Sequence, residues 1–181
     1  MSASSKTPRR IMALWFPRLP TDRLQRREQA QQSSALEAPP LVLVTKVNNA
    51  LRLSAVDRRA TLQGLTIGQP LANARAMLPT LKVVAANEPA DLKLLTGIAD
   101  WCDRFTPFVA LDGPRRLLLD VTGVAHLFGG EQAMLDRIRE SLQAQGFALR
   151  SALAGTAAAA RALARYRDGA VVASGEEGQA I

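Results

Sequence analysis

The stretch LLLDVTGVAHLFGGE, residues 117–131, sets Asp120 inside an apolar run and follows it six residues later with His126, the only histidine of the chain. A carboxylate and an imidazole are metal ligands and acid–base groups, so these two residues raise the question of a metal centre or a proton-transfer pair. They have little company. The single cysteine, Cys102, cannot build a thiolate site, and one imidazole with one carboxylate makes half a metal site at most. Asp120 is therefore expected to be structural, its carboxylate bonding neighbouring backbone from a buried strand. His126 is expected to pack or to close a helix end.

The basic residues carry a broader signal. Lys plus Arg number 23 against 16 Asp plus Glu, a net charge of +7 with a pI near 10.7, which favours an anionic partner: nucleic acid first, a membrane surface second. Residues 1–28 hold seven bases against Asp22 and Glu28, and residues 150–167 hold four arginines and no acid. Aromatic residues make up only 4%, which argues against a base-stacking platform. The lone cysteine rules out a disulfide framework, suits a reducing compartment and reads as a buried small hydrophobe. No apolar run reaches a membrane-spanning length and no signal peptide is evident, so a cytoplasmic protein is expected.

These residues need elements to position them. RIMALWFP (10–17) is a continuous apolar run of the kind a strand buried on both faces shows. A helix is expected to open at Pro20–Asp22 with Thr21 as its cap. LVLVTKV and LRLSAV flank NNA as a hairpin, two short helices run between Asp57 and Pro79, and LKVVAA reads as a strand. Leu94, Leu95, Ile98, Trp101, Cys102 and Phe105 recur at helical spacing over 90–105. FVALD and RRLLLDVTG form a second hairpin. A helix over 131–146 buries Met134, Leu135, Ile138 and Leu142 and ends at Gly146, FALRSALAG is a strand, Thr156 caps an alanine-rich helix, and AVVAS closes the pattern as a short strand. The fold class is α+β, an antiparallel sheet backed by helices.

From Leu51 to Tyr166 the order of motifs resembles the palm and fingers of the Y-family (DinB/UmuC-type) translesion DNA polymerases: GLTIGQPLANARAMLPTLKVV, RFTPFVALD with LLLDVTG, and SALAGTAAAARALAR. The resemblance implies a ferredoxin-like palm from residues 8–19 and 88–175, a fingers insertion at 20–87, and disordered ends at 1–7 and 176–181. It also implies two-metal phosphoryl transfer, with carboxylates drawn from the first strand and from a second acidic motif. Here the first strand has none, Leu14 and Phe16 standing where the D-x-D acids would be. The second motif falls on Arg115 and Arg116, or on Asp112 and Gly113 if three residues are inserted. The Tyr and Arg that grip the triphosphate correspond to Arg58 and Thr61, and the first lysine of N-K-x-x-A-K to Ala157, with Arg161 as the surviving second base.

LWFPRLPTDRL and LLLDVTGVAHLFGGE resemble, more narrowly, the polymerase-like branch of bacterial mutagenesis cassettes that lacks the catalytic acids. The expectation is a non-catalytic module for DNA repair and translesion synthesis in the SOS response, without cofactor or metal. Its implied partners are an error-prone replicative-type polymerase and the sliding clamp, the latter through a further C-terminal region. The clamp-like QAMLDR lies within a helix and is set aside. DNA binding is expected to be weak and sequence-independent, through Arg18, Arg23, Arg58 and Arg161. Two alternatives stand: a low-efficiency polymerase using Asp112 and Asp120, and a generic basic interaction domain. The adaptor reading requires RIMALWFP to lie beside RLLLDVT in the sheet.

Overall fold

The computed structural model describes residues 7–31 and 38–180; the disorder expected for residues 1–6 and Ile181 lies outside them. In chain order the elements are β1 (Ile11–Trp15), α1 (Leu19–Gln31), β2 (Leu41–Val47), β3 (Ala50–Val56), α2 (Arg58–Leu62), α3 (Leu71–Met77), β4 (Lys82–Ala85), α4 (Glu88–Cys102), β5 (Val109–Leu111), β6 (Arg116–Asp120), α5 (Glu131–Ala144), β7 (Arg150–Ala154), α6 (Ala157–Tyr166) and α7 (Glu177–Ala180). A 3₁₀ turn, Ala125–Phe128, joins β6 to α5. The chain divides into two compact units, Met1–Pro17 with Lys93–Ile181, and Arg18–Leu92.

The first unit is built on an antiparallel sheet of order β5-β6-β1-β7. β1 lies against β6 across about a hundred residues of chain, Ile11 opposite Asp120 and Trp15 opposite Arg116, the pairing that the adaptor reading requires. Ile11 and Ala13 share a face with Ala152 and Ala154 and pack under Ala159, Ala160, Leu163 and Ala164 of α6. Small side chains on both partners let the helix approach closely, which accounts for its run of alanines. Met12, Leu14, Leu117 and Leu119 alternate onto the opposite face and are fully buried. With both faces covered, β1 reads as a continuous apolar run rather than an alternating one. Leu118, by contrast, is half-buried, packed with Ile11 and Ala13 beneath α6.

α5 buries Met134, Leu135, Ile138 and Leu142, each side chain contributing about 1.5–3 kcal/mol by leaving water. Gly146, at φ 87°, takes the left-handed position just past its end. Thr156 caps α6 by accepting from the Ala159 N–H.

The second unit holds a sheet of order β3-β2-β4. Asn48 and Asn49, both at positive φ, make the tight β2–β3 turn that asparagine tolerates. β4 pairs with β2 in parallel, which requires the crossover supplied by α2 and α3. Asp57 caps α2, its Oδ1 accepting from the Ala60 N–H at 2.7 Å.

Three local expectations are corrected. α1 begins at Leu19, so Thr21 lies inside its first turn and its hydroxyl donates to the Arg18 carbonyl rather than capping the helix. AVVAS forms only an isolated bridge, Leu153 to Val171. Residues 177–180, expected to be disordered, form one helical turn. No helix among the described residues is long and apolar enough to cross a membrane.

Candidate functional site at the end of the central strand

Residues directly opposite one another in antiparallel strands share a face. Trp15, last in β1, is flanked by Arg116 of β6 and Arg150 of β7. The Arg150 guanidinium stands 5.8 Å from the centre of the Trp15 ring. Arg165 reaches the same ring from α6 at 5.9 Å, and also lies over Tyr166 at 5.6 Å.

Asp112 joins them from the β5–β6 turn, where Gly113 at φ 73° allows the reversal and the Asp112 N–H donates to the Arg116 carbonyl at 2.9 Å. Arg161, one helical turn before Arg165, grips its carboxylate with two N–H groups at 2.8 and 2.9 Å. The Arg116 Nε stands 3.0 Å from the same carboxylate. At this end of the sheet Arg116 and Arg161 thus meet the Asp112 carboxylate, while Arg150 and Arg165 stand over the Trp15 ring.

Two-metal phosphoryl transfer needs several carboxylates converging on ions about 4 Å apart. Here the one carboxylate is already neutralised twice, and a divalent cation beside it would face like charges. Among the described residues no cluster of three or more His, Cys, Asp or Glu side chains can hold a metal ion.

The remaining positions read from the sequence are dispersed. Leu14 and Phe16 are fully buried, and Phe16 sets its ring edge-on to Phe147 at 5.9 Å; neither faces Asp112. The β1 residue that does share a face with Arg116 is Trp15, which sequence reasoning missed along with Arg150 and Arg165. The signal was the strand's two-residue period, usable only once the β1–β6 register is fixed. Arg115 donates to the Pro17 carbonyl at 3.2 Å.

Asp120 lies four residues beyond Arg116, about 13 Å along the strand at the usual rise, so Asp112 and Asp120 do not form one site. Its carboxylate accepts from the Thr122 N–H and from Arg9 Nε, both at 3.1 Å. Partial burial alone would raise its pKa. The Thr122 hydrogen bonds and the Arg9 charge outweigh that and hold it below the ordinary carboxylate value. His126 is exposed in the last turn of the 3₁₀ helix, so of the two expected roles the helix-end one fits and packing does not.

Of the four predicted phosphate contacts, two are engaged within the protein. Arg23 pairs with Asp91 at 2.7 Å, both mostly buried, and Arg161 holds Asp112. Arg58 is exposed and Arg18 half-buried. Thr61 spends its hydroxyl on the Asp57 carbonyl at 2.7 Å. Ala157 lines an open groove with Ile11, Leu118 and Asp120.

The impB/mucB/samB family matches residues 24–165. Protein ImuB of Caulobacter vibrioides is 45% identical over 119 residues, which cover 65% of this chain and 26% of that protein. Among solved structures, Dbh DNA polymerase in a post-insertion binary complex superposes with a TM-score of 0.73 at 14% identity, over 91% of this chain and 48% of that one. DinB from Sulfolobus solfataricus gives 0.69 at 15% identity, over 94% and 50%. The chain therefore spans about a quarter of the curated relative and about half of each of the two solved chains, and it shares the fold of the matched parts of those structures.

Proposed function

The chain belongs to the impB/mucB/samB family, and we propose that it works in DNA-damage tolerance as a polymerase-like module without polymerase activity, an adaptor rather than an enzyme. The observation that carries this reading is the state of Asp112. Arg161 grips its carboxylate with two N–H groups and Arg116 forms an ion pair with it, so the acid that the family resemblance would assign to a metal is engaged by guanidiniums. β1 contributes an indole there and no acid. The similarity to ImuB supports the damage-tolerance role. The proposal extends to partnership with an error-prone replicative-type polymerase and the sliding clamp in a bacterial cytoplasm.

Primer extension with magnesium or manganese tests the reading. No product above a buffer control is expected. Template-dependent incorporation that disappears in Asp112→Ala would overturn the adaptor and restore an enzyme.

DNA binding belongs to the same proposal. It is weak and sequence-independent, because Arg18 and Arg58 can neutralise phosphates while no element reads base edges. Affinity should fall steeply with salt, and binding unchanged from low to high salt would contradict the electrostatic account.

A further inference from the structure

We propose that the arginine cluster around Trp15 is a docking surface for an acidic peptide segment of a partner protein. This goes beyond the adaptor reading, which needs no such surface.

Arg150 and Arg165 are both drawn to the Trp15 ring, within the roughly 6 Å over which a guanidinium is attracted to an aromatic face. Neither has an ion-pair partner among the described residues. The nearest acid, Asp112, is taken by Arg161 and Arg116. Two forks are therefore oriented by an aromatic ring rather than by a carboxylate, and their charge is left for something else to neutralise. Trp15 and Arg150 are half-buried, and partial exclusion of water strengthens any ion pair formed there.

The guanidinium fork suits carboxylates held by two parallel hydrogen bonds. The cluster contains its own instance of that geometry, Arg161 on Asp112 at 2.8 and 2.9 Å. A single-stranded nucleic acid would gain less. It draws affinity from successive rings on which bases stack, whereas at this cluster the Trp15 ring is already attended by two guanidiniums and the strongly exposed ring is that of Tyr166, at 72%. A peptide with carboxylates flanking one apolar residue needs two forks and one exposed ring, and the surface offers those.

The test uses the full chain carrying Trp101→Phe, so that Trp15 is the only tryptophan. The probes are a fluorescein-labelled peptide of mixed Asp, Glu and Leu, its Asn/Gln/Leu analogue, and an oligothymidylate of equal charge, each titrated with EDTA present. The acidic peptide should bind by anisotropy and shift Trp15 emission. Arg150→Glu with Arg165→Glu should weaken it about tenfold or more. Arg137→Glu, an exposed charge reversal on α5, should not. Arg165→Gln alone, at an exposed position, should weaken binding several-fold and covers the case in which the double variant misfolds by circular dichroism. The proposal is overturned if the amide analogue binds equally well, if the arginine variants bind like the parent, or if the oligothymidylate binds more tightly through the same arginines. A positive primer-extension result would sink the adaptor reading and leave these titrations unaffected.

Discussion

Replacing Asp112 by alanine separates a structural carboxylate from a metal ligand by the sign of its effect on stability. In the structure the Asp112 carboxylate accepts two N–H groups of Arg161 at 2.8 and 2.9 Å and forms an ion pair with Arg116 at 3.0 Å. Hydrogen bonds to charged groups contribute about 1.5–3 kcal/mol when buried. Both arginines are 40% exposed and regain water when released, which discounts the total towards the surface-pair range. The net loss should be about 1–2 kcal/mol, a fall in Tm of roughly 2–8 °C for a chain of this size. A metal ligand would behave oppositely. Its removal in EDTA would relieve like-charge repulsion and leave the protein equally or more stable. A site binding manganese with a Kd of about 0.1 mM would add about 2.7 kcal/mol at 10 mM metal. The assay is thermal unfolding of parent and Asp112→Ala, each in EDTA and in 10 mM manganese. The reasoning fails if the variant is as stable as the parent in EDTA, or if manganese raises the parent's Tm by several degrees and the variant's not at all.

Three further outcomes follow from the same coordinates. Arg10 is nearly buried and grips Glu131 at 2.6 Å through both Nε and Nη2, so Glu131→Ala should cost about 2–3 kcal/mol in a urea melt, more than Asp112→Ala, because it strands a charge that water cannot easily reach. Burial pushes the Cys102 thiol up to about 12, with Asp103 adding to the rise and Arg104 opposing it; the native protein should resist a thiol-reactive chromophore at neutral pH and react only on unfolding, and rapid native labelling would contradict the buried assignment. The Asp120 pKa is lowered on folding, so its contribution is present above the unfolded carboxylate value near 3.9 and is lost as pH falls through the folded one; Asp120→Asn should flatten the loss of stability below about pH 4, and an unchanged acid limb would refute the assignment.

Much of the fold was legible because its signals are local. The unbroken apolar run of β1, the asparagine pair at the β2–β3 turn, Thr156 before α6 and Gly146 after α5 each specify their structure within a few residues. What was missed depends on distant partners. AVVAS has the composition of a strand but meets β7 only through Leu153 and Val171. Thr21 has the residue type of a cap, yet the helix starts at Leu19 and turns its hydroxyl back to the Arg18 carbonyl.

The site divides along the same line. No carboxylate precedes Asp22, so the absence of acids from the first strand could be read without knowing where β1 pairs. What replaces them could not. A strand's side chains alternate faces, and a slip of one residue exchanges the whole set. Leu14 and Phe16 lie in the core, whereas the register sets Trp15 opposite Arg116 and Arg150. The four arginines are separated in sequence by up to 49 residues, from Arg116 to Arg165, and only β6, β7 and α6 acting together bring them to that ring. Composition therefore reported a positive charge without a location, while the register gives it one, beside Trp15, where Arg150 and Arg165 are drawn to the ring and Arg116 and Arg161 to Asp112.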